Sequence, residues 1–364
     1  MNIVIFIIIL LVLVIVHEFG HFYSAKKFGI RVDEFGFGFP PKLFGIKKGE
    51  TEYTFNLLPI GGFVKIFGEN PDDENTNGPD RERSFVHKAK WKQAIVLGAG
   101  VFANFLLAWL LFSFGFMSGM PTSVGSESKG SNLKDVHLVV VSVLGDSPAD
   151  HAGLQSGDKI LGVRNEKTAI TNDITPDTFR DFVISTGEGE LTIAYMRGGE
   201  TGEYNIQPKV NESGVPAIGI SMDEIGIAKL PFFMALKEGM SLTANVTKST
   251  AVGLYTLIKD AIMGQGSLSG VTGPVGMVGI VGDAYTLGFA YLLSFAALIS
   301  INLGIINLVP FPALDGGRLF FLLIEKIKGS PINPKVANTL NTIGFGILIL
   351  FMIFITYHDV ANLF

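Results

Sequence analysis

Residues 3–25, 93–117, 286–309 and 336–357 are runs of aliphatic and aromatic side chains long enough to cross a bilayer as helix. A hydrocarbon core of about 30 Å takes roughly 20 helical residues. Within it, every backbone N–H and C=O must find a partner inside the chain. Four such runs point to a polytopic α-helical membrane protein with about four transmembrane helices. Composition agrees once it is resolved along the chain. Apolar residues make up 48% and charged residues only 17% of the 364, too apolar a balance for a wholly soluble protein. The excess lies in the four runs, whereas residues 125–213 have the mixed polarity of an ordinary soluble domain.

Lysine and arginine orient the loops. Positive charge is dense from Lys26 to Lys92, between the first and second runs, and returns at Arg318, Lys326, Lys328 and Lys335, between the third and fourth. The stretch between the second and third runs spreads its positive charges over a greater length and offsets them with acids. The positive-inside rule therefore places both basic loops in the cytosol, and both termini and the large central domain outside. The first run has no basic residue before it and no small-residue cleavage pattern, so it reads as a retained span rather than a signal peptide. A net charge of -5 without a basic stripe gives no footprint for nucleic acid. The chain has no cysteine, so a metal would have to rest on histidine and carboxylate.

Between the first two spans, residues 51–67 hold two short β-prone runs around Leu58-Pro59-Ile60-Gly61-Gly62, which predicts a hairpin or looped strand. Residues 70–83 are polar, with Pro71, Asp72, Asp73, Pro79 and Asp80, and read as a solvated loop. Residues 231–263 are apolar at helical spacing but interrupted by Lys237, Glu238, Lys248, Lys259 and Asp260. That pattern predicts an amphipathic helix on a membrane or domain surface rather than a fifth span.

The first span ends in chemistry. His17-Glu18-Phe19-Gly20-His21 sets two imidazoles four residues apart, on one face of a helix, with a carboxylate beside them. Two histidines at this spacing can bind one zinc ion, and Glu18 is placed to act as general base. Ionisable groups inside a span are costly and by default mark function. Catalytic zinc needs a third protein ligand, and depth selects it. His17 lies about 20 Å along the first span, near its cytosolic end. The third span runs in the same direction and ends in Asn307-Leu308-Val309-Pro310-Phe311-Pro312-Ala313-Leu314-Asp315-Gly316-Gly317. Asp315 thus reaches the leaflet of the histidines, whereas His358 belongs to the opposite side. Glu325, Asp33 and Glu34 are on the same side as the histidines but lie among ordinary cytosolic charges. Pro310 and Pro312 forbid regular helix and free backbone groups, which lipid tolerates only beside protein or a wet cavity. Asn307, in the same bend, could offer its amide to a substrate carbonyl.

HExxH in the first span, paired with Asn307-x-x-Pro-x-Pro-x-x-Asp315-Gly in the third, resembles the site-2 protease family of intramembrane zinc metalloproteases. The bacterial regulator-of-sigma-E protease branch is the most similar. The resemblance implies a zinc metalloendopeptidase in the bacterial inner (plasma) membrane, with its active site near the cytosolic side. It implies Zn2+ held by His17, His21 and Asp315, Glu18 as general base, and Asn307 assisting substrate binding. The stretch Gly61-Gly62-Phe63-Val64-Lys65 corresponds to the family's membrane-associated β-loop, which would hold substrate in extended form. Implied substrates are single-span membrane proteins already trimmed outside, such as an anti-sigma factor or remnant signal peptides.

The expected domains follow. Residues 1–118 hold the first two spans with the β-loop at about 51–68; 213–284 hold the amphipathic helix and a glycine-rich segment; 285–364 hold the last two spans. Residues 122–212 form the extracytoplasmic domain, where the strand at 138–144, a short helix from Ser147, and Gly153-Leu154-Gln155-Ser156-Gly157-Asp158 before a new strand resemble a bacterial PDZ domain. Its carboxylate-binding loop is not evident from the residues, and His151, His137 and His87 have no metal-like neighbours in sequence. The run Gly264–Gly282, with Gly273-Pro274-Val275-Gly276, lacks a nucleotide-binding fingerprint and reads as close packing or a flexible gate. Two rival readings remain. One is a membrane-tethered PDZ adaptor with a structural or inactive metal site. The other is a transporter, against which the lack of an inverted repeat speaks.

Overall fold

The computed structural model describes residues 1–70, 77–126, 133–211, 214–264 and 272–361. Most of the expected polar loop (71–76) and part of the glycine-rich run (265–271) therefore lie outside the described residues. The chain forms two compact units, one of Met1–Ser113, Gly239–Tyr285 and Leu292–Phe364, the other of Phe114–Glu238 with Thr286–Tyr291.

The first unit opens with helix α1 (Asn2–Lys27), apolar around its whole circumference. It stops at Phe28-Gly29, where Gly29 takes φ 66°. The N–H groups of Gly29 and Ile30 then return to the carbonyls of Lys26 and Ala25, closing the last turn. A hairpin follows, β1 (Val32–Lys48) and β2 (Thr51–Ile66), turning at Gly49. Residues 34–37 pair with 62–65 on one side and 52–55 on the other, while 42–48 pair with 51–56, so two long strands make a four-segment sheet. The two β-prone runs expected within 51–67 are one strand, β2, and its partner is β1 rather than a second run beyond Leu58–Gly62. Gly36, Gly38, Pro40 and Pro41 interrupt the apolar alternation of β1, which disguises it as loop. Ile30, Val32, Ile66, Phe85, Val96 and Leu97 bury the base of the hairpin. Its far end leaves Leu43, Phe44, Ile46, Leu57 and Leu58 exposed. Helix α2 (Lys90–Ser118) completes the N-terminal part.

The second unit is built on one antiparallel sheet. Its elements are β3 (Met120–Ser123), β4 (Lys134–Val143), α3 (Pro148–Ala152), β5 (Lys159–Arg164), β6 (Ala169–Ile170), α4 (Pro176–Thr186), β7 (Leu191–Arg197), β8 (Glu200–Ile206), β9 (Lys209–Val210), β10 (Pro216–Ala217) and β11 (Ile220–Ala228). Strand order is β3-β11-β4-β5-β7-β8. Because β11 pairs with β4 from Ile220 to Ile227, the sheet extends well past residue 212. Both helices start on capped prolines: Ser147 Oγ accepts the Asp150 N–H, and Thr175 and Thr178 form a reciprocal box. Asp158, fully buried, takes a bidentate pair from Arg197 at 2.6 and 2.7 Å and also accepts the Gln155 N–H. Strand β3 pairs with β11 only at 225–228, leaving the Ile220–Glu224 edge without a strand partner among the described residues. A groove of about 630 Å³ lies there, lined by Leu144, Phe179, Val183, Ile218 and Ile220.

The chain continues through α5 (Phe232–Ile262), α6 (Pro274–Leu287), α7 (Phe289–Leu308), α8 (Asp315–Lys328) and α9 (Pro334–Ala361). Among the described residues, helices α1, α2, α7 and α9 are the four long and apolar enough to span a membrane, and α5 is not one of them. The third span starts at Phe289, since Gly288 at φ 118° separates it from α6. Gly273-Pro274-Val275-Gly276 is the first turn of α6: the Asp359 carboxylate on α9 accepts the N–H groups of Gly273 (3.1 Å) and Gly276 (2.9 Å), capping the helix. Gly282 lies against Asn2, leaving no room for a Cβ.

Candidate metal centre

Two close contacts between α1 and α2 assemble the site. Gly20 of α1 faces the Ala99 carbonyl of α2, where a Cβ would collide with the carbonyl group. Gly100 of α2 leaves the matching space for the histidine rings: a Cβ there would stand 2.8 Å from Cε1 of both His17 and His21. Small residues at such contacts let two helices approach more closely than side chains normally allow. Both histidines are 7% exposed. The His21 Nδ1 lies 2.8 Å from the Val96 carbonyl, and the His17 Nδ1 lies 3.1 Å from the Asn104 side-chain amide.

The third group arrives through irregular backbone. After α7 ends at Leu308, Pro310 and Pro312 have no N–H to donate, and Ala313 takes a left-handed φ of 78°. Its N–H donates to Asn341 Oδ1 of α9 at 3.2 Å. The loop folds back so tightly that a Cβ on Gly316 would strike the Leu308 and Val309 carbonyls, and one on Gly317 the Phe311 carbonyl. Asp315 thereby begins α8 beside the end of α7, at a helix N-terminus that favours a carboxylate.

Asp315 Oδ2 lies 3.1 Å from His17 Nε2 and 3.3 Å from His21 Nε2, and the two ring nitrogens are 3.2 Å apart. Tetrahedral zinc with bonds of about 2.0–2.1 Å has edges of about 3.3–3.4 Å between ligand atoms. The triangle matches one face of such a tetrahedron. Asp315 Oδ2 is buried and, despite facing both rings, accepts no hydrogen bond of acceptable geometry. Three converging electron-pair donors with no proton satisfying the oxygen fit a cation. Among the described residues these three form the one group of histidine and acidic side chains able to hold a metal.

Beside the triangle lies a cavity of about 380 Å³ lined by Glu18, Phe63, Val64, Leu303, Asn307 and Arg318. The Val64 backbone N–H faces the Glu18 carboxylate in the lining of the same cavity, so the hairpin and α1 meet at that group. Gly62 lies alongside, its Cβ position 3.6 Å from Glu18 Cγ, at ordinary contact distance. Of the hairpin residues expected at the site, Phe63 lines the cavity and Gly62 backs Glu18. Gly61 does not reach the cavity; at φ 97° it packs against the Phe39 ring. The sequence reading missed Asn104, the Val96 carbonyl, Asn341 and Arg318. Arg318 lies one turn beyond Asp315 and pairs with Glu69. Burial lowers its pKa and the Glu18 charge opposes that shift. For Asn104 a signal was present, because an amide inside the second apolar run is costly in lipid.

Comparison with known proteins gives concordant results. The profile of Peptidase family M50 matches residues 5–351. A Clostridium perfringens protein provisionally named zinc metalloprotease CPE1693 is 36% identical over 350 residues, covering 96% of this chain and 95% of that one. Zinc metalloprotease RasP of Shouchella clausii is 31% identical over 438 aligned residues, covering 99% of this chain and 98% of its own. Among solved structures, the PDZ domain of the SdrC-like protein Lin2157 of Listeria innocua is 29% identical over 24% of this chain and 92% of its own, with a TM-score of 0.20.

Proposed function

The chain belongs to peptidase family M50, the site-2 proteases, and from that membership we propose how its residues carry out proteolysis within a membrane. The protein is an intramembrane zinc metalloendopeptidase, and relatives of nearly full coverage carry zinc metalloprotease in their names. That weighs against the adaptor reading. His17, His21 and Asp315 hold the zinc; the observation that carries this assignment is their mutual spacing of 3.1 to 3.3 Å around an unsatisfied carboxylate oxygen. Bound there, zinc supplies Lewis acidity that polarises a carbonyl and eases the ionisation of water. Glu18, faced by the Val64 N–H, accepts the proton of the attacking water and passes it to the departing amine. Asn307, which lines the same cavity, offers its amide to the scissile carbonyl.

A transmembrane substrate hides its carbonyls in helical hydrogen bonds and must open before it can react. The Gly62–Lys65 segment of β2, lying beside Glu18, receives the opened chain as an added strand. The exposed apolar end of the hairpin dips into the inner leaflet. In this reading both basic loops are cytosolic, and the central unit and both termini are outside. The central unit acts as a PDZ-like size filter that admits single-span proteins already trimmed outside, and the open edge at Ile220–Glu224 is where it would take an extended peptide. Substitution of Glu18 by glutamine tests the chemistry. Cleavage of a single-span reporter in proteoliposomes should fall by about 10²–10⁴ while zinc stoichiometry stays at the wild-type level. Near-normal cleavage by that variant would remove Glu18 from the mechanism.

A further inference from the structure

We infer that Asn104, on the second span, is a positioning residue of the metal centre: its amide oxygen receives the Nδ1 proton of His17 and so turns the Nε2 lone pair toward His21 and Asp315. The inference rests on the metal site assigned above and extends it to a helix that contributes no ligand.

An imidazole that binds a cation through Nε2 carries its proton on Nδ1, and that proton needs an acceptor. For His21 the acceptor is the Val96 carbonyl at 2.8 Å. For His17 the neighbour at Nδ1 is the Asn104 side chain, with its amide nitrogen at 3.1 Å and its oxygen, Oδ1, buried without a hydrogen-bond partner. A half-turn about the Cβ–Cγ bond exchanges these two atoms with little change of shape, and presents the unused acceptor to the ring. Asparagine alone among neutral residues of this size can present either a donor or an acceptor there by such a turn.

The bland alternative is an amide that glues helices together. Asn104 does link α2 to α7, but it does so with its backbone: Ser300 Oγ donates to the Asn104 carbonyl at 2.9 Å. That link survives replacement of the side chain. The side chain is fully buried, and the partner it has among the described residues is His17. Burying an amide at membrane depth is costly unless it is used, and its use here is the ring. Asn104 thus connects the span that carries two ligands to the span that leads to the third.

The test measures zinc affinity of the full-length protein by chelator competition, the cobalt(II) absorption spectrum, and thermal unfolding without metal. Asn104→Leu keeps the branching and heavy-atom count of the side chain and the Ser300 link but removes the acceptor. It should weaken zinc binding about 10–100-fold and alter the cobalt spectrum, with unfolding little changed. Asn104→Asp restores an acceptor and should bind zinc within a few-fold of wild type, or more tightly. Should the leucine variant fail to fold, Asn104→Ser, too short to reach the ring, carries the same expectation. Wild-type zinc affinity and spectrum in the leucine or serine variant would overturn the inference, as would an aspartate variant as weak as either. A wild-type protein that binds no zinc would instead overturn the metal site itself.

Discussion

Replacing Gly100 with alanine puts one methyl group where the histidine rings now lie. The added Cβ would stand 2.8 Å from Cε1 of His17 and of His21, and nearer still to His21 Nε2. Carbon atoms rest at about 3.5–4.0 Å, so the rings would have to withdraw by about 0.7 Å or more. Metal sites accept ligand displacements of about 0.2 Å. The rings cannot swing aside freely, because both are anchored to α2 itself, through Val96 and Asn104. Relief therefore requires α1 and α2 to part, against the neighbouring contact of Gly20 with Ala99. Overpacking of this kind costs about 1–3 kcal/mol. Borne by the zinc-loaded state, that is a loss of roughly 5- to 150-fold in zinc affinity. Gly98, on the same helix, has nothing within 4 Å of its Cβ position, so Gly98→Ala should bind zinc as wild type does. Chelator competition on both variants, with reporter cleavage in parallel, gives the answer. Equal zinc affinity in Gly100→Ala and Gly98→Ala would refute the account of the crossing.

The central unit supplies two more tests. Arg197→Met strands Asp158, fully buried, with only the Gln155 N–H as partner, and should destabilise that unit by about 3–5 kcal/mol. Asp158→Asn should cost less, since the Arg197 side chain is 36% exposed and can turn to water; hydrogen exchange of the sheet amides ranks the two, and the reverse order would be inconsistent with the buried-pair account. Replacing residues 120–228 by a flexible linker should let the protease cut a reporter that has not been trimmed outside. Continued dependence on trimming after that excision would rule out the size filter. An excision confined to 125–211 should instead aggregate, because β11 would lose β4, its neighbour along the sheet.

What could be read in the residues was what repeats at short range. Four apolar runs and the His17–His21 spacing are local patterns, and they became four span-length helices and two converging rings. The choice of Asp315 needed only helix rise and span direction, and the structure brings that carboxylate to both rings. Strand β1 was not legible because its glycines and prolines mimic a loop, although its partner β2 follows directly. The end of the central sheet was missed for a different reason. Strand β11 is separated by two short strands from β8, yet it pairs with β4, near the start of the domain. Arg318 was hidden differently, as a basic residue counted for orientation when its neighbours in space are Glu69 and the cavity beside His17 and His21.

The loop from Val309 to Leu314 shows why a broken helix is required at this depth. Had α7 continued unbroken, Asp315 would stand about 10 Å beyond Leu308 along the axis, away from the rings that hold its partners. Two prolines end the helix, but they do not specify a return. The return is fixed by neighbours the sequence does not reveal: Gly316 and Gly317 admit the carbonyls of residues 308, 309 and 311 at distances no side chain permits. Asn341 on the last span holds the left-handed Ala313 through its N–H. The Ala313 N–H is thereby a place where another helix attaches. Among the described residues the last span supplies none of the three converging donors, yet its Gly344 packs directly on Pro312. The same logic governs Asn104 on the second span. In a membrane, where apolar burial does not distinguish one helix from another, the polar contacts that orient the ligands are also those that select which helices meet. The position of the metal site and the packing of the bundle are therefore one problem, solved by the same few buried amides and glycines.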